Sequence, residues 1–353
     1  MKKKALITGI MGQDGAYLAK FLLNKNYDVY GAYRRNSNLD NNRLKRLNIY
    51  NKVKLIDLEI TEFTSVYYTI KKVLPDEIYN LAAMSFVGSS FDQPIYTMNT
   101  NTMGVLNILE TLKKIKKKIS FYQASTSEMF GNFTNKDIDE ETPFDPASPY
   151  AVSKAASHFL VKFYRKAFNL NCCSGILFNH ESPLRGEEFV TKKIISQLCE
   201  ILKNKRKIIK VGNIYSKRDW GYAPEYVQAM WKMLQIKNKN DFVIGTGKSY
   251  TIKYFINEAC KYFKIPIQWK GKGLNEHCIN KKNNKKIIVI SKKFYRPLDV
   301  NSLKSNPKKA RKFLKWSFDK DIKALIKEMC DSELYDLNAV SYTHLTLPTR
   351  CLV

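Results

Sequence analysis

The first half of the chain alternates two patterns of hydrophobic and polar residues. Short β-branched and aromatic runs predict strands, and longer segments whose apolar residues recur every three or four positions predict amphipathic helices. Regular strand–helix alternation is typical of an α/β fold with a parallel sheet and helices on both faces. The predicted strands are 4–8, 27–33, 53–57, 77–83, 119–125 and 172–178, and the predicted helices between them include 16–25, 103–115 and about 149–168.

After Phe178 the pattern loosens into polar and aromatic loops between predicted helices at 191–204 and 250–263. We therefore predict a doubly wound, Rossmann-type domain over 1–178, to which later segments return. A smaller, partly interleaved lobe that binds substrate is predicted mainly over 179–335.

Two stretches are predicted to lie outside regular structure. Residues 275–286 (NEHCINKKNNKK) are polar and rich in asparagine and lysine, which predicts a mobile loop. Residues 340–353 change abruptly to threonine and leucine without helical periodicity, after a predicted last helix at 321–334. We expect this tail to be non-native or disordered, and we exclude it from the fold.

The composition is consistent with the predicted α/β fold. The 353 residues are 44% hydrophobic and carry a formal net charge of +28, but the lysines are scattered and often stand beside asparagine. Such lysines indicate solvated surface rather than a dedicated nucleic-acid site, although the positive field would attract an anionic nucleotide. The chain contains no apolar run long enough to span a membrane, no leader-type cleavage site and no CxxC pair among its seven cysteines. We expect a cytoplasmic protein with reduced thiols and without a metal.

A glycine motif directly follows the first predicted strand and opens a helix. Gly9, Gly12 and Gly15 recur at three-residue spacing in GIMGQDG, with Gln13 and Asp14 between the last two. Glycines there let backbone amides approach a pyrophosphate at the helix N-terminus. The strand before and the helix after favour a dinucleotide site over a simple tight turn.

The end of the second predicted strand indicates which dinucleotide binds. NAD-binding proteins usually have an acid there for the ribose hydroxyls, whereas this chain has Arg34 and Arg35. Guanidinium groups match a 2′-phosphate through paired hydrogen bonds, so we predict NADP. Asp57 and Leu58, at the end of the third predicted strand, are expected beside the adenine.

A tyrosine and a lysine stand one helical turn apart at the start of the predicted helix 149–168. Tyr150 and Lys154 share a face, so the ammonium can stabilise the phenolate and make Tyr150 a base near neutral pH. Three polar residues, Thr126, Ser127 and Glu128, directly follow the fifth predicted strand, and they have no evident core to fill. A carboxylate at this edge is suited to general acid–base catalysis.

These motifs together resemble the extended short-chain dehydrogenase/reductase family, and within it the dehydratases that act on GDP-mannose. The resemblance covers nearly all of the chain up to about residue 335. It rests on the segments ALITGIMGQDGAYLAKFLL, YRRNS, IYNLAAMSFVGSSFDQP, FYQASTSEMFG, SPYAVSKA, GILFNHESPLRG, FVTKKI, KRDWGYAPEYVQAMW and FYRPLDV.

The resemblance implies a redox-neutral loss of water from a GDP-sugar. Tyr150 would take the C4 hydroxyl proton as NADP accepts a hydride, and Lys154 would also hold the nicotinamide ribose. Glu128 would remove the C5 proton and return it to the departing C6 hydroxyl. Thr126 would hold the C4 oxygen, and Ser127 would support Glu128.

Further residues enter only through this resemblance. Leu81, Ala82, Ser85 and Tyr96 would line the nicotinamide side of the cleft, with Ser85 also near the sugar, and His180 and Arg185 would bind the cofactor. Asn179, Lys193, Arg218 and Arg296 would hold the diphosphate and sugar. The segment 34–43 resembles one that packs against a neighbouring subunit's cofactor, which implies a homodimer or homotetramer.

Several alternatives stay open at this point. Met84 and Phe86 stand where relatives commonly have glutamine and sometimes histidine, so GDP-manno-heptose is an alternative to GDP-mannose. A sugar-nucleotide 4-epimerase or 4-keto reductase would share the glycine motif and the Tyr/Lys pair, but epimerases lack the acid at position 128. A catalytically silent NADP-binding scaffold and a basic nucleic-acid binder are the remaining possibilities.

Overall fold

The computed structural model of the chain describes residues 2–35, 40–133, 136–237, 239–295 and 298–345, with the final helix described as backbone only from residue 337. The chain divides into two compact units. The first unit comprises Met1–His180, Ser216–Tyr250 and Arg296–Asp319, and the second comprises Glu181–Tyr215, Thr251–Tyr295 and Lys320–Val353.

The strands and helices alternate through the first half of the chain, as the hydrophobic pattern predicts. The strands are β1 (Lys4–Thr8), β2 (Asp28–Tyr33), β3 (Lys54–Asp57), β4 (Glu77–Asn80), β5 (Ser120–Thr126), β6 (Cys172–Leu177), β7 (Asn179–Glu181), β8 (Ile209–Val211), β9 (Lys217–Arg218), β10 (Trp220–Tyr222), β11 (Phe242–Ile244), β12 (Tyr250–Thr251), β13 (Ile267–Lys270), β14 (His277–Asn280) and β15 (Lys286–Ile290). The helices are α1 (Gln13–Asn24), α2 (Asn42–Arg46), α3 (Phe63–Val73), α4 (Val87–Asp92), α5 (Pro94–Met98), α6 (Gly104–Lys114), α7 (Pro149–Ala167), α8 (Val190–Leu202), α9 (Ala223–Gln235), α10 (Ile252–Tyr262), α11 (Lys308–Leu314) and α12 (Ile322–Leu345).

The first unit is built on a seven-stranded sheet in the order β11-β6-β5-β4-β1-β2-β3, in which every neighbouring pair is parallel. The predicted Rossmann-type fold is therefore confirmed. The chain order reverses between β1 and β4, so their carboxyl ends border the crevice where ligands bind in such sheets. A core of side chains such as Leu6, Ile78, Phe121, Leu109 and Val161 joins the sheet to the helices on one face.

The second unit contains a four-stranded sheet in the order β13-β14-β15-β8, together with α8, α10 and α12. The prediction of a mobile loop at 275–286 is wrong, because residues 277–280 form β14 and pair antiparallel with β15. Cys278 and Ile279 are buried, and the polar residues form the turn of a hairpin in which Asn284 has a φ of +53°. Asparagine tolerates that left-handed conformation, so an Asn/Lys-rich segment can be a well-defined turn.

The last helix extends farther than its hydrophobic pattern predicts. The α12 backbone continues to Leu345, six residues into the segment that we expected outside the fold, whereas residues 346–353 lie outside the described chain. No glycine or proline interrupts 322–345, so the sequence of this segment is compatible with a continuous helix. Within the described residues, no helix is both long and apolar enough to cross a membrane.

Candidate active site

The glycine motif forms a tight turn between β1 and α1. Gly9 has a φ of +69°, and a Cβ atom there would lie 2.8 Å from the backbone nitrogen of Ala82. A Cβ atom on Gly15 would lie 2.4 Å from the carbonyl oxygen of Gly9, so neither position accepts a larger residue without rearrangement. Gly12 is the N-cap of α1 and has no side chain to cover the first-turn amides. The turn thus fits an anionic group at the positive end of the helix dipole.

This turn borders a cavity of about 710 Å³ in the first unit. The hydroxyl oxygen of Thr100, in the cavity wall, is buried and has no hydrogen-bond partner among the described residues, so the wall retains a polar group for a ligand. The predicted residues Gly9, Gly12, Arg34, Leu58, Leu81, Ala82, Ser85 and Tyr96 line the cavity, together with Met84, Asp40 and Arg43.

The arginines that follow β2 differ in their surroundings. Arg34 is exposed, lines the cavity and donates to the hydroxyl of Tyr96, with its guanidinium carbon 5.8 Å from the centroid of that ring. Arg35 is exposed and is not among the cavity-lining residues, and Asp57 is exposed at the end of β3. Arg43, which sequence reasoning did not single out, lines the cavity, donates to the carbonyl of Met11 at 3.1 Å and lies 3.7 Å from an Asp40 carboxylate oxygen.

Gln13, Asp14 and His180 form a hydrogen-bonded cluster at the start of α1. The Nε2 atom of His180 lies 2.7 Å from the Asp14 carboxylate, and Nδ1 lies 2.7 Å from the carbonyl oxygen of Phe178. Gln13 donates to the Asp14 carboxylate and to the carbonyl of His180. The His180 ring also stacks on Tyr226 with centroids 4.6 Å apart. The structure therefore places these three predicted residues where they fix the first turn of α1, just beyond the glycine turn.

The Tyr150 and Lys154 side chains are both buried on α7, whose first turn is capped by the Ser148 hydroxyl. The Lys154 ammonium donates to the carbonyl of Ala124 on β5 at 2.8 Å and lies 5.9 Å from the centroid of the Tyr150 ring. Burial lowers the pKa of Lys154 from 10.5 to about 8. Lys154 is then mostly protonated at pH 7 and supplies a positive charge beside the phenol.

Glu128 lies on a 3₁₀ turn, Ser127–Phe130, that directly follows β5. The Thr126 hydroxyl accepts a hydrogen bond from the Glu128 amide at 3.2 Å and so caps this turn. Ser127 is buried, whereas Glu128 is partly exposed. The turn therefore presents a carboxyl group at the carboxyl edge of the sheet, the edge at which ligands bind in this fold.

Two of the four residues predicted to hold the diphosphate and sugar, Asn179 and Arg218, are described in the first unit. The amide oxygen of Asn179 is buried without a hydrogen-bond partner in the described part of the chain, which suits a polar ligand. Arg218 donates to the carbonyls of Lys217 and Val300 at 2.9 and 2.8 Å. Arg296 lies outside the described residues.

The two predicted residues in the second unit, Arg185 and Lys193, have cationic groups next to aromatic rings. The guanidinium of Arg185 lies 3.5 Å from the centroid of Phe189, and its Nε atom is 3.0 Å from the buried carboxylate of Glu181. The ammonium of Lys193 lies 3.6 Å from the centroid of Phe294. Burial and the nearby charge of Arg206 lower the pKa of Lys193.

Asn101 is a supporting residue that sequence reasoning missed. It is buried in a π-helical turn, Asn99–Met103, and its amide accepts from the Met84 N–H at 2.8 Å and donates to the Met84 carbonyl at 3.2 Å. It also donates to the Ser153 hydroxyl, which donates to the carbonyl of Tyr150. Asn101 thus joins the cavity wall at Met84 to the helix that carries Tyr150. An asparagine in an otherwise amphipathic helix was the available signal.

The parallel sheet, the glycine turn after β1 and the Tyr-x-x-x-Lys pair on α7 are together those of the extended short-chain dehydrogenase/reductases. The fold is similar to that of the solved UDP-glucose 4-epimerase from Thermotoga maritima, with a TM-score of 0.78 and 20% identity over 95% of this chain and 99% of that one. It is also similar to dTDP-glucose 4,6-dehydratase from Bacillus anthracis, with a TM-score of 0.77 and 20% identity over 98% of this chain and 100% of that one. Similarity at these identities concerns the fold alone.

Sequence comparison identifies the family within this class. The family model for GDP-mannose 4,6 dehydratase matches residues 6–329. GDP-mannose 4,6 dehydratase of Drosophila melanogaster is 41% identical over 96% of this chain and 88% of its own length, and that of Homo sapiens is 40% identical over 94% and 91%. The chain belongs to the GDP-mannose 4,6-dehydratase family, which confirms the resemblance.

Proposed function

We propose that the protein is a lyase that converts GDP-mannose to GDP-4-dehydro-6-deoxymannose and water. The observation that carries the proposal is the Glu128 carboxyl on the turn after β5, in the unit that also holds the buried Tyr150–Lys154 pair. The names of the family and of the relatives support the same substrate.

The chain's own residues fit a nicotinamide dinucleotide, which when bound supplies a hydride acceptor for C4 of the sugar and a hydride donor for C6. Gly9, Gly12 and Gly15 would hold its pyrophosphate at the start of α1, and at Gly9 and Gly15 a Cβ atom would clash with the backbone. We infer NADP rather than NAD because Arg34 and Arg35 follow β2 directly, where an acid would otherwise hold the ribose hydroxyls. The cavity-lining position of Arg34 supports this choice.

The role proposed for Tyr150 is to take the C4 hydroxyl proton as C4 is oxidised to a ketone. A free phenol has a pKa near 10 and is a poor base at neutral pH. With the pKa of Lys154 at about 8, roughly nine in ten Lys154 side chains carry a positive charge at pH 7. That charge stabilises the phenolate and thus favours proton transfer to Tyr150.

The role proposed for Glu128 is to move one proton twice. The C4 ketone acidifies the C5 hydrogen, and the Glu128 carboxylate takes it. The protonated carboxyl then gives the proton to the C6 hydroxyl, which leaves as water while a C5–C6 double bond forms. Product formation would then require a hydride at C6, which the bound dinucleotide would supply, and a proton at C5, which balances the proton that Tyr150 took from the C4 hydroxyl. The sugar thus loses one water without net oxidation.

We further propose that the protein works in the cytoplasm as a homodimer or homotetramer. The six cysteines among the described residues, Cys172, Cys173, Cys199, Cys260, Cys278 and Cys330, are buried free thiols, as suits a reducing compartment. Val152, Phe159 and Phe163 lie exposed along α7, which supports contact with a second copy.

The direct test is mass spectrometry of the sugar nucleotide after incubation with the purified protein. We expect GDP-mannose to lose the mass of one water with NADP⁺ and to react more slowly with NAD⁺ at equal concentration. GDP-manno-heptose, tested in parallel, distinguishes the alternative substrate that Met84 in the cavity wall leaves open. An epimer of unchanged mass, or no turnover of either sugar nucleotide, would contradict the proposal.

Glu128→Gln tests the carboxyl itself. The amide has nearly the same shape but cannot take a proton from C5, so we expect kcat to fall by about 10²- to 10⁴-fold while NADP⁺ binding is retained. Glu141→Gln, a substitution of an exposed carboxylate in the same unit, is the matched control and should keep wild-type turnover. Undiminished turnover in Glu128→Gln would remove Glu128 from the mechanism.

A further inference from the structure

A buried histidine contacts the strand that leads into the turn carrying Glu128. His158 is on α7, one helical turn beyond Lys154, and its Nδ1 atom is 3.2 Å from the Ser125 hydroxyl on β5. Ser125 immediately precedes Thr126, and both His158 and Ser125 are buried. Lys154 and His158 therefore hold two successive residues at the end of β5, through the Ala124 carbonyl and the Ser125 hydroxyl respectively.

The His158 imidazole is also connected, through the ring of Phe144, to the last residue of the turn. The His158 ring packs edge-to-face on Phe144, with centroids 5.2 Å apart, and Phe144 packs edge-to-face on Phe130 at the same distance. Phe130 is the last residue of the 3₁₀ turn that begins at Ser127. One side chain thus contacts the residue before Thr126 and, through one aromatic ring, the residue that ends the Glu128 turn.

The charged groups around His158 fix its orientation. The Asp241 carboxylate lies 4.0 Å from Nε2 and is held by both terminal nitrogens of Arg165, at 2.9 and 2.5 Å. Burial lowers the pKa of His158, so the ring is neutral at pH 7. A carboxylate on the Nε2 side favours the tautomer protonated there, which leaves Nδ1 to accept the Ser125 hydroxyl proton.

We propose that His158 is a positioning residue for the dehydration reaction, which holds the Thr126–Glu128 segment through Ser125 on one side and the Phe144–Phe130 contact on the other. This inference rests on the proposed function, because the segment matters as the site of C5 proton transfer. General acid–base catalysis needs the carboxyl within hydrogen-bond reach of the atoms it serves, so a small displacement lowers kcat. We expect binding of GDP and of the dinucleotide to stay unchanged, because neither His158 nor Ser125 is among the residues proposed to bind them.

The test compares variants that remove one contact at a time. His158→Phe keeps a ring against Phe144 but loses the bond to Ser125, and Ser125→Ala loses the same bond from the other side. We expect each to lower kcat by about tenfold with KM within about twofold, and the double variant to be no slower than either, since both remove a single interaction. His158→Asn places an amide atom near the Nδ1 position but loses the ring against Phe144, so it should recover only part of the turnover lost in His158→Phe.

Hydrogen exchange of the cofactor-free protein provides a readout that is independent of turnover. We expect the amides in the peptide 121–131 to exchange faster in His158→Phe and Ser125→Ala, and to return toward wild type in His158→Asn. Exchange elsewhere in the first unit should stay unchanged. If His158→Phe fails to fold, Ser125→Ala, which removes one oxygen atom from a strand, tests the same bond.

The outcomes separate this inference from the proposed function. Absence of GDP-mannose turnover in the wild type contradicts the proposed function, while the exchange measurement still tests the contact. Wild-type turnover combined with unchanged kcat and unchanged exchange in His158→Phe and Ser125→Ala overturns the positioning role. Losses that multiply in the double variant overturn the claim that the two residues act through one bond.

Discussion

The buried ammonium of Lys154 links stability and catalysis at a single residue. Its ammonium donates to the neutral carbonyl of Ala124, and burial opposes the charge and lowers its pKa to about 8. In the proposed mechanism the same charge stabilises the Tyr150 phenolate. The charge of Lys154 thus lowers the stability of the fold at neutral pH and serves the proposed proton transfer.

The destabilisation caused by the buried Lys154 charge depends on pH, which gives a testable prediction. The pKa of Lys154 is about 8 in the folded protein against 10.5 for an ordinary lysine, so the unfolded state binds more protons between these values. Stability contributed at this position is lowest below pH 8 and rises as the pH increases toward 10.5. From pH 7 to pH 9.5 we expect wild type to gain about 2 kcal/mol relative to Lys154→Met.

Urea unfolding of wild type and Lys154→Met at both pH values measures this difference. Taking the difference between the two proteins cancels the other groups that titrate in the same range and do not interact with Lys154. Methionine also lacks the bond to Ala124, but that loss adds an amount that does not vary with pH. A difference in unfolding free energy that is the same at pH 7 and pH 9.5 would show that Lys154 has an ordinary pKa.

Residues that act within one element could be read from the sequence, and residues that act between elements could not. The glycine turn and the Tyr150–Lys154 pair each lie within a few positions, so local spacing predicts them. The His180–Asp14 bond joins residues 166 positions apart, and local periodicity carries no signal for such a contact. For the same reason the roles of Asn101 and His158 emerged only from the fold.

At the scale of elements, the strands of the sheet followed from β-branched runs, whereas several connecting elements did not. β11 has only three residues, too few for a periodic pattern, and it is a strand because it pairs with β6 at the edge of the sheet. The hairpin of β14 and β15 was not predicted, because its turn is rich in asparagine and lysine. Whether such segments form strands depends on pairing with a strand distant in sequence, so a prediction from local composition fails there.

One buried carboxylate joins three connecting segments of the first unit. Asp219, next to Arg218, is fully buried and accepts hydrogen bonds from the amides of Thr246, Gly247 and Ser305 and from the hydroxyls of Thr246 and Ser305. Burial raises the pKa of Asp219 even with these five donors. We expect the arrangement to fix the strand β9 on which Arg218 lies.

Asp219→Asn should destabilise the protein. The amide nitrogen that replaces one carboxylate oxygen would face N–H donors, and each unsatisfied buried donor costs about 1–3 kcal/mol. We expect the free energy of unfolding to fall by about 3 kcal/mol, measured by urea denaturation. Ser305→Ala, which removes one hydroxyl donor and leaves the carboxylate, is the control and should cost about 1 kcal/mol. If Asp219→Asn were as stable as wild type, the free energy of desolvating the buried carboxylate would equal the stabilisation from its hydrogen bonds.

For the whole molecule, the net charge of +28 has no explanation in the fold. The chain has 60 lysine and arginine residues against 32 aspartate and glutamate residues, so even full one-to-one pairing would leave 28 cations, nearly half, without an acidic partner. The ion pairs among the described residues are mostly at the surface, where each contributes about 0–1 kcal/mol. Repulsion among the remaining cations then destabilises the compact state, and an anionic sugar nucleotide is attracted to the same field.

Salt should therefore stabilise this protein. Raising KCl from about 20 to about 300 mM screens repulsion over the whole surface, whereas it weakens only the few exposed ion pairs. We expect the midpoint of thermal unfolding at pH 7 to rise by about 3 °C, followed by circular dichroism. Lys116→Glu/Lys118→Glu, which changes two exposed lysines and lowers the net charge from +28 to +24, is the matched control. This variant should melt higher than wild type at low salt and respond less to KCl, whereas a midpoint that falls with salt in wild type would show that ion pairs outweigh repulsion.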